Sequence, residues 1–424
     1  MEEDAFDLWD CARGGGPARR ATLVRRKARR PFRAARRDAA PAPRPGFLGL
    51  FARRPAAAAA RQAAPDASAG LDGLRCGGRL PGPQLPVPLP HHPHAAAPLP
   101  ARRHHRDPRA MTIPRIALGP GYDISRILRG GWQLAGGHGE VEPARAIADM
   151  RAFLDAGITT FDCADIYTGV EEMIGEFRAT LPGSDRDRLQ VHTKFVPDLS
   201  ALASLDFGYV ERIIDRSRAR LRMDRLDLVQ FHWWDYAIPG LDRAAAHLAE
   251  LQRRGAIRLV GGTNFDTPNT RAMMHAGVNI ASMQVQYSLL DRRPAGELAT
   301  LCAETGMQLL CYGTVAGGFL SSRWLGQPAP AEPLANRSLV KYRLIIEEFG
   351  GWDAFQALLR TLDAIATRHG VSVTAVATRW VLDQPHVAGA ILGARYADHL
   401  PATLATFGFA LDEADHAALD AVLA

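Results

Sequence analysis

The sequence is poor in lysine and cysteine, and it has no long apolar segment. Of its 51 Lys and Arg residues, three are lysine: Lys27, Lys194 and Lys341. The five cysteines are an odd number without paired spacing, which argues against a disulfide framework or a zinc site and indicates a reducing compartment. No apolar segment is long enough for a signal peptide or a membrane span. We therefore expect a cytoplasmic protein that holds no metal and does not enter the membrane.

Charge and proline divide the chain at about residue 110. Residues 1–110 hold 21 of the 51 basic and 9 of the 45 acidic residues, so this segment carries +12 and the remainder −6. It also contains 16 of the 29 prolines. Such a composition buries too little apolar surface to offset chain entropy, which predicts a disordered tail. The overall charge of +6 belongs to the tail, and it does not predict binding of nucleic acid or membrane by residues 111–424.

The role of the tail stays open. Its Arg- and Ala-rich middle is similar to an organelle transit peptide, but five acidic residues in its first ten argue against that. It lacks the aromatic residues or module expected of a nucleic-acid binder. We favour a tail without function, with translation beginning at Met111.

From Met111 onward, short apolar runs alternate with helical patterns. A hairpin over Ile116–Leu118 and Ile124–Leu128 is predicted to continue into the first of eight strands. The seven later strands are predicted at 159–161, 189–192, 226–231, 257–261, 281–285, 308–311 and 387–392. Eight strands with helices between them over residues 111–424 predict a (β/α)₈ TIM barrel with an N-terminal hairpin, preceded by the tail.

The predicted helices fill the gaps between these strands. Early examples are Val141–Ala156, Glu171–Ala179 and 243–254, and another begins with Thr267 as N-cap before Pro268. Between the last two strands we predict a Pro-rich loop at 327–333 and two helices, Trp352–His369 and Ser372–Asp383.

Four reactive side chains follow successive strands. They are Asp162, Tyr167, Lys194 and His232. A TIM barrel assembles its active site from the C-terminal ends of its strands, so we expect these groups to meet. Singly each has a structural explanation, such as a helix cap, a packed aromatic ring or a core histidine. Together they suit acid–base chemistry, with a phenol to move a proton, an ammonium and a carboxylate to tune it, and an imidazole to orient a carbonyl.

The motifs around these residues resemble the aldo-keto reductase superfamily. The segment Gly157 to Tyr167 is similar to the family's motif of a strand-end Asp followed by Ala and Tyr. His192-Thr193-Lys194 and Gln230-Phe231-His232 are similar to the strands that carry its catalytic Lys and His. The resemblance covers residues 111–424 and implies an NAD(P)H-dependent oxidoreductase that acts on a small-molecule aldehyde or ketone, or on the corresponding alcohol.

The resemblance also implies a set of cofactor-binding residues. They are Thr263, Asn264, Gln284, Tyr312, Gly313 and Gly317 for the nicotinamide and pyrophosphate, and Gly393, Ala394, Arg395 and His399 near the 2′-phosphate. The usual Lys-Ser pair and later Arg of NADPH-specific relatives are replaced here by Gly393, Ala394 and His399. Arg395 lies next to them, and its planar guanidinium suits a phosphate. We expect NADPH to be used, with NADH possible.

The implied mechanism assigns one role to each catalytic residue. Tyr167 gives a proton to the carbonyl oxygen, Lys194 lowers the pKa of Tyr167, and Asp162 holds Lys194. A neutral His232 donates a hydrogen bond that places the carbonyl. Trp132 and Trp233 match family positions that line the substrate pocket.

Two alternatives come from other functional classes. Lys194 at a strand end also suits a Schiff-base lyase. A non-catalytic NADPH-binding regulatory subunit is the other alternative, because some relatives are similar to channel-associated β subunits. The four intact catalytic residues favour the oxidoreductase. The sequence does not define the oligomeric state or the physiological substrate.

Overall fold

The computed structural model describes residues 113–136, 138–334 and 336–424. The tail predicted over residues 1–110, and Met111 with it, lie outside the described residues. Within the described ranges, no helix is both long and apolar enough to cross a membrane.

Eight parallel strands close into a barrel, as the alternating pattern predicts. They are β3 (Ile127–Gly130), β4 (Thr160–Asp162), β5 (Gln190–Phe195), β6 (Leu226–Phe231), β7 (Ile257–Thr263), β8 (Ile280–Gln286), β9 (Gln308–Tyr312) and β10 (Val387–Gly393). Neighbours in sequence are neighbours in the barrel, and β10 pairs with β3 to close it. Closure leaves no exposed sheet edge, and it brings the C-terminal ends of all eight strands to one face.

Helices surround this barrel. They are α1 (Pro143–Asp155), α2 (Val170–Thr180), α3 (Gly183–Arg188), α4 (Phe207–Leu221), α5 (Leu241–Arg253), α6 (Thr267–His275), α7 (Glu297–Thr305), α8 (Arg337–Phe349), α9 (Gly351–His369), α10 (Val373–Leu382), α11 (Leu400–Leu404) and α12 (Glu413–Leu423). Most of them bury an apolar face. In α1, for example, Met150, Phe153 and Leu154 are buried at the i, i+3, i+4 spacing of one helix face.

The predicted N-terminal hairpin covers the end of the barrel at which the strands begin. Strands β1 (Arg115–Gly119) and β2 (Tyr122–Ser125) pair antiparallel. Leu118 and Tyr122 from the hairpin pack with Leu228 and Leu259, which lie near the starts of β6 and β7. The start of the barrel is therefore filled with apolar side chains, and its C-terminal face is left for chemistry.

Two details of the predicted elements are wrong. The region between β9 and β10 contains three helices, because α8 precedes the two that were predicted. Asp266 is the N-cap of α6, since its carboxylate accepts from the Asn269 amide at 2.8 Å, and Thr267 is the first helical residue. The run at 124–128 carries the hairpin into the first barrel strand, as predicted, since β2 ends at Ser125 and β3 begins at Ile127.

Candidate active site

The side chains predicted to be catalytic lie at the C-terminal face of the barrel. Asp162 is the last residue of β4, and Tyr167 lies in the loop that follows it. Lys194 lies inside β5, one residue from its end, because this strand is longer than predicted, and His232 directly follows β6. All four side chains are buried, Tyr167 being the most exposed at 8%.

Asp162 is held by three donors. Its Oδ2 accepts from Lys194 Nζ at 2.8 Å. Its Oδ1 accepts from Gln230 Nε2 at 2.8 Å and from Gln284 Nε2 at 2.7 Å. A buried carboxylate with this many charge-assisted and amide hydrogen bonds is fixed in position. It therefore fixes Lys194 in turn, as the sequence predicts.

Lys194 stays charged in this environment. Burial opposes the ammonium charge, but the neighbouring Asp162 and Tyr167, with the hydrogen bond to Asp162, raise the pKa of Lys194 above its ordinary value. Nζ also donates to the Cys163 carbonyl at 2.9 Å. The structure thus supplies a permanent cation beside Tyr167, with Nζ 5.1 Å from the centre of its ring.

Two opposing effects act on the pKa of Tyr167, namely burial and the Lys194 ammonium, whose lowering effect is the predicted one. Burial raises the pKa of Tyr167, and the Lys194 ammonium opposes that rise without cancelling it. Removing a phenol from water disfavours the phenolate more than one nearby cation favours it here. Tyr167 is therefore protonated at neutral pH, which is the state that a general acid requires.

His232 is neutral but is not placed as the predicted donor. Burial lowers the pKa of His232 to about 4. Its Nδ1 lies 3.2 Å from the Thr263 carbonyl oxygen, which can only accept, so Nδ1 carries the proton. Nε2 of the neutral ring is then an acceptor, and it is buried without a hydrogen-bond partner among the described residues. This nitrogen suits the hydroxyl of an alcohol or of a tyrosine.

Aromatic side chains surround the reactive groups, but not all as predicted. The Trp132 ring lies edge-on to Tyr167 at 5.3 Å, which places it at the site. Trp233 has no exposed surface, and its indole nitrogen donates to the backbone carbonyls of Asp235 and Ile238. Trp234 instead packs against the His232 ring at 4.8 Å. Trp234 is therefore better placed than Trp233 to contact a substrate.

The residues predicted to hold the nicotinamide cluster beside the catalytic groups. Thr263 ends β7, Gln284 lies in β8, and Tyr312 ends β9. Asn264 has a left-handed backbone with φ of 60°, and its Oδ1 accepts from the Tyr312 hydroxyl at 3.0 Å. Gln284 Nε2 donates to Asp162 and to the Gln230 side chain, so it joins this set to the Asp162 carboxylate.

The loop after β9 packs against α8, the helix that was not predicted from the sequence. A Cβ atom on Gly313 or on Gly317 would meet the ring of Tyr342 in α8. Both glycines have positive φ, 73° and 63° respectively. Lys341 of the same helix places Nζ 4.7 Å from the Tyr312 ring. Helix α8 therefore borders the predicted pyrophosphate loop.

The residues predicted near the 2′-phosphate lie together at the end of β10. Gly393 is the last residue of β10, and His399 ends a short 3₁₀ helix six residues later. Gly393, Ala394 and His399 line one small cavity. Arg395 is half-buried, and its Nη1 donates to the Glu140 carbonyl at 3.3 Å.

One residue of the site was not predicted. Gln230 of β6 is fully buried and lies opposite Lys194 in the register of β5 and β6. Its amide links Asp162 to Gln284. Alternate residues of a strand share one face, so Gln230 lies on the same face as His232. A polar residue at this position of an apolar strand could therefore have been predicted to belong to the site.

One cluster away from the strand ends has the side chains of a metal site. In the described ranges, one group has possible metal-ligand atoms within 4.8 Å of one another, and it consists of His369, Asp412 and Asp415. Arg368 donates to both carboxylates, and His369 Nε2 lies 2.7 Å from Asp415. These contacts join the end of α9 to the start of α12, so the cluster has a structural role.

The fold and the site together are those of a barrel enzyme whose side chains suit acid–base chemistry. A buried Asp–Lys pair, a protonated tyrosine and a neutral histidine meet where a TIM barrel places its active site. The model of the Aldo/keto reductase family matches residues 126–424. The chain belongs to this family and is an NAD(P)-dependent oxidoreductase.

Individual relatives differ in how much of their length is matched. The aldo-keto reductase YhdN of Bacillus subtilis is 29% identical over 316 residues, which cover 72% of this chain and 91% of the relative. Flagellar radial spoke protein 5 of Chlamydomonas reinhardtii is 30% identical over 261 residues, covering 52% of this chain. The chain spans 49% of the length of that relative.

A solved structure shows the same fold. The glycerol dehydrogenase AKR11B4 of Gluconobacter oxydans superposes with a TM-score of 0.61 at 24% identity. The match covers 75% of this chain and 95% of the other.

Proposed function

We propose that the protein reduces an aldehyde or ketone, or oxidises the corresponding alcohol, with Tyr167 as the general acid and base. The observation that carries this proposal is the buried Asp162–Lys194 pair beside a protonated tyrosine at the C-terminal end of the barrel. A reduced nicotinamide supplies the hydride when it is bound. The remaining chemistry belongs to the side chains described above.

The residues present fit such a cofactor. Nε2 of His232 is a buried polar atom without a partner among the described residues, and it can accept from a donor of a bound cofactor or substrate. Asn264 and Tyr312 join the ends of β7 and β9 next to it. These residues, with Thr263 and Gln284, are the proposed nicotinamide-binding set, and Arg395 is the proposed contact for the phosphate of NADPH.

Tyr167 moves the proton that the new hydroxyl requires. In reduction the phenol gives its proton to the carbonyl oxygen and becomes a phenolate. Lys194 stabilises that phenolate through its nearby positive charge, and Asp162 keeps the ammonium in place. In oxidation the same groups act in reverse, and the Tyr167 phenolate takes the proton of the alcohol hydroxyl.

The first prediction tests Tyr167. We expect Tyr167→Phe to bind NADPH with nearly unchanged affinity and to lose at least about 10²-fold in kcat, because only the proton-transfer step is removed. The measurement is cofactor binding by protein fluorescence and turnover on a screen of aldehydes, ketones and aldoses with each nicotinamide. Near wild-type kcat, with chemistry rate-limiting, would contradict the assignment.

The same screen separates the alternatives. A Schiff-base lyase would be trapped by borohydride with substrate alone and would turn over without nicotinamide. A regulatory subunit would bind the cofactor and turn over none of the carbonyl compounds. The radial spoke relative bears a structural name, but the match covers only about half of it.

A further inference from the structure

Arg129 carries a buried charge that has no hydrogen-bonded counter-ion among the described residues. Its side chain lies on β3 and is 1% exposed. Its Nε, Nη1 and Nη2 have no hydrogen-bond partner among the described residues. The guanidinium lies 5.3 Å from the ring centres of both Phe153 and Phe161. Ring faces offset part of the cost of a buried cation, but they do not accept from five N–H donors.

The acidic group that acts on Arg129 is already bound elsewhere. Asp149 of α1 favours the charge on Arg129, yet its Oδ2 accepts from the Ala397 amide at 2.9 Å and lies 4.0 Å from Arg145 Nε. Burial lowers the pKa of Arg129 to about 10, so the side chain remains a cation at neutral pH. An uncompensated buried charge of this kind is strongly unfavourable unless a counter-charge enters.

A cavity adjoins this cation. It has a volume of about 30 Å³, and its lining includes Arg129, Phe153, Gly393, Ala394 and His399. Gly393 and His399 are exposed, whereas Arg129 and Phe153 are buried, so the cavity runs from the surface at the end of β10 to the guanidinium. A single water needs about 10–15 Å³ measured in this way, so the cavity has space for two or three oxygen atoms of one anion.

We propose that Arg129 and this cavity form a binding site for a phosphate-type oxyanion. Arginine suits this role, because its planar fork of donors matches phosphate oxygens. Inorganic phosphate and the 2′-phosphate group of a bound nucleotide have the same chemistry. If the phosphate group belongs to the nucleotide, the inference rests on the proposed function. If it is inorganic phosphate, the inference is independent of that function.

Thermal unfolding of the full chain in cofactor-free buffer tests the site. Ionic strength is held constant with sodium chloride while inorganic phosphate is titrated. We expect the wild type to show a saturable rise in Tm, on the order of 2–4 °C near saturation. We expect Arg129→Met to unfold at the same or a higher Tm without phosphate, because it removes an unpaired buried charge. The variant should show no rise with phosphate.

A matched substitution controls for the loss of one positive charge. Arg360 of α9 is exposed, and Arg360→Met should keep the wild-type response to phosphate. The proposal is overturned if phosphate leaves the wild-type Tm unchanged or if Arg129→Met keeps the rise. It is also overturned if Arg129→Met unfolds at a markedly lower Tm without phosphate, since the guanidinium would then have a purely structural partner.

Binding of two nucleotides then identifies the source of the anion. If it is the nucleotide phosphate, Arg129→Met should weaken 2′,5′-ADP at least tenfold and leave 5′-ADP unchanged. If it is a free anion, both nucleotides should bind the variant as they bind the wild type, while the phosphate-dependent rise in Tm is still lost. Because the thermal assay contains no cofactor or carbonyl substrate, its result does not depend on whether the protein catalyses hydride transfer.

Discussion

At the scale of single residues, neighbouring groups determine the protonation and position of the side chains at this site. The Thr263 carbonyl sets the tautomer of His232, and Asp162 sets the position of Lys194. The sequence predicts which residues meet, because strand ends of a barrel converge. It does not predict their protonation states, because the burial that raises the pKa of Tyr167 comes from side chains distant in the sequence. The resemblance of the motifs therefore predicted which residues meet, whereas their protonation states depend on packing in the folded structure.

A second buried histidine gives a prediction on acid stability. His192 is fully buried, its Nε2 lies 3.1 Å from the Tyr122 hydroxyl, and burial lowers its pKa from 6.5 to about 4. The unfolded chain binds a proton on this histidine below pH 6.5 and the folded chain does not. The stability linked to neutral His192 is thus present above pH 6.5 and is lost as the pH falls to about 4.

Comparison with His192→Gln isolates this contribution. Buried carboxyl groups with raised pKa, such as Glu171, act in the opposite direction but are common to both proteins. We expect the unfolding free energy of the wild type to fall by about 1.4 kcal/mol per pH unit more than that of the variant between pH 6.5 and 4. Urea unfolding at several pH values measures it. Parallel pH profiles of the two proteins would show that His192 takes up its proton in the folded state.

Arg395 gives a prediction on cofactor preference. Its guanidinium holds the Glu140 carbonyl by one 3.3 Å hydrogen bond, which a phosphate contact would replace at small cost. One charge-assisted hydrogen bond contributes roughly 1.5–3 kcal/mol. We therefore expect Arg395→Ala to weaken NADPH binding about ten- to a hundredfold and to spare NADH, as measured by fluorescence titration. An equal loss for both cofactors, or none for either, would place the phosphate contact on another residue, for which Arg129→Met is the next variant to measure.

At the scale of elements, strands were easier to predict than the helices on the long β9–β10 connection. Helix α8 was missed although Leu339, Tyr342 and Ile346 are buried at helical spacing. Val340 and Leu344 on its other face are exposed apolar residues, so the periodic contrast is blurred. The N-cap of α6 was misplaced by one residue because Asp266 and Thr267 are both good caps, and only the geometry separates them.

The contact between α2 and α4 gives a prediction at this scale. Gly175 of α2 is buried so close to the α4 backbone that a Cβ atom there would meet the Arg220 carbonyl oxygen. A backbone cannot move aside as a flexible side chain does, so we expect Gly175→Ala to lower the unfolding free energy by about 1–3 kcal/mol. The control is Gly208→Ala in α4, where the nearest atom lies 3.6 Å away in the flexible Arg212 side chain. Urea unfolding should show little loss for the control, and equal effects of the two changes would contradict the close contact.

At the scale of the whole molecule, the change in composition near residue 110 predicts that the fold and the chemistry need no residue before Met111. Among the described residues, the apolar clusters begin at Ile113 and the strands of the barrel at Ile127. The predicted catalytic, substrate-binding and cofactor-binding residues lie between Trp132 and His399 in the sequence.

A chain that begins at Met111 is accordingly expected to keep the Tm and the turnover of the full chain, because it retains the hairpin, the closed barrel and the site. Differential scanning calorimetry and a carbonyl reduction assay at matched concentration check both quantities. The matched control is a chain that begins at Tyr122 and so lacks β1, whose Leu118 packs with Leu228 and Leu259 at the start of the barrel. We expect this control to unfold at a markedly lower Tm, since burial of one such side chain contributes about 1.5–3 kcal/mol and the pairing of β1 with β2 is also lost. A large loss already on beginning at Met111 would mean that residues 1–110 contribute to folding or catalysis, against their composition.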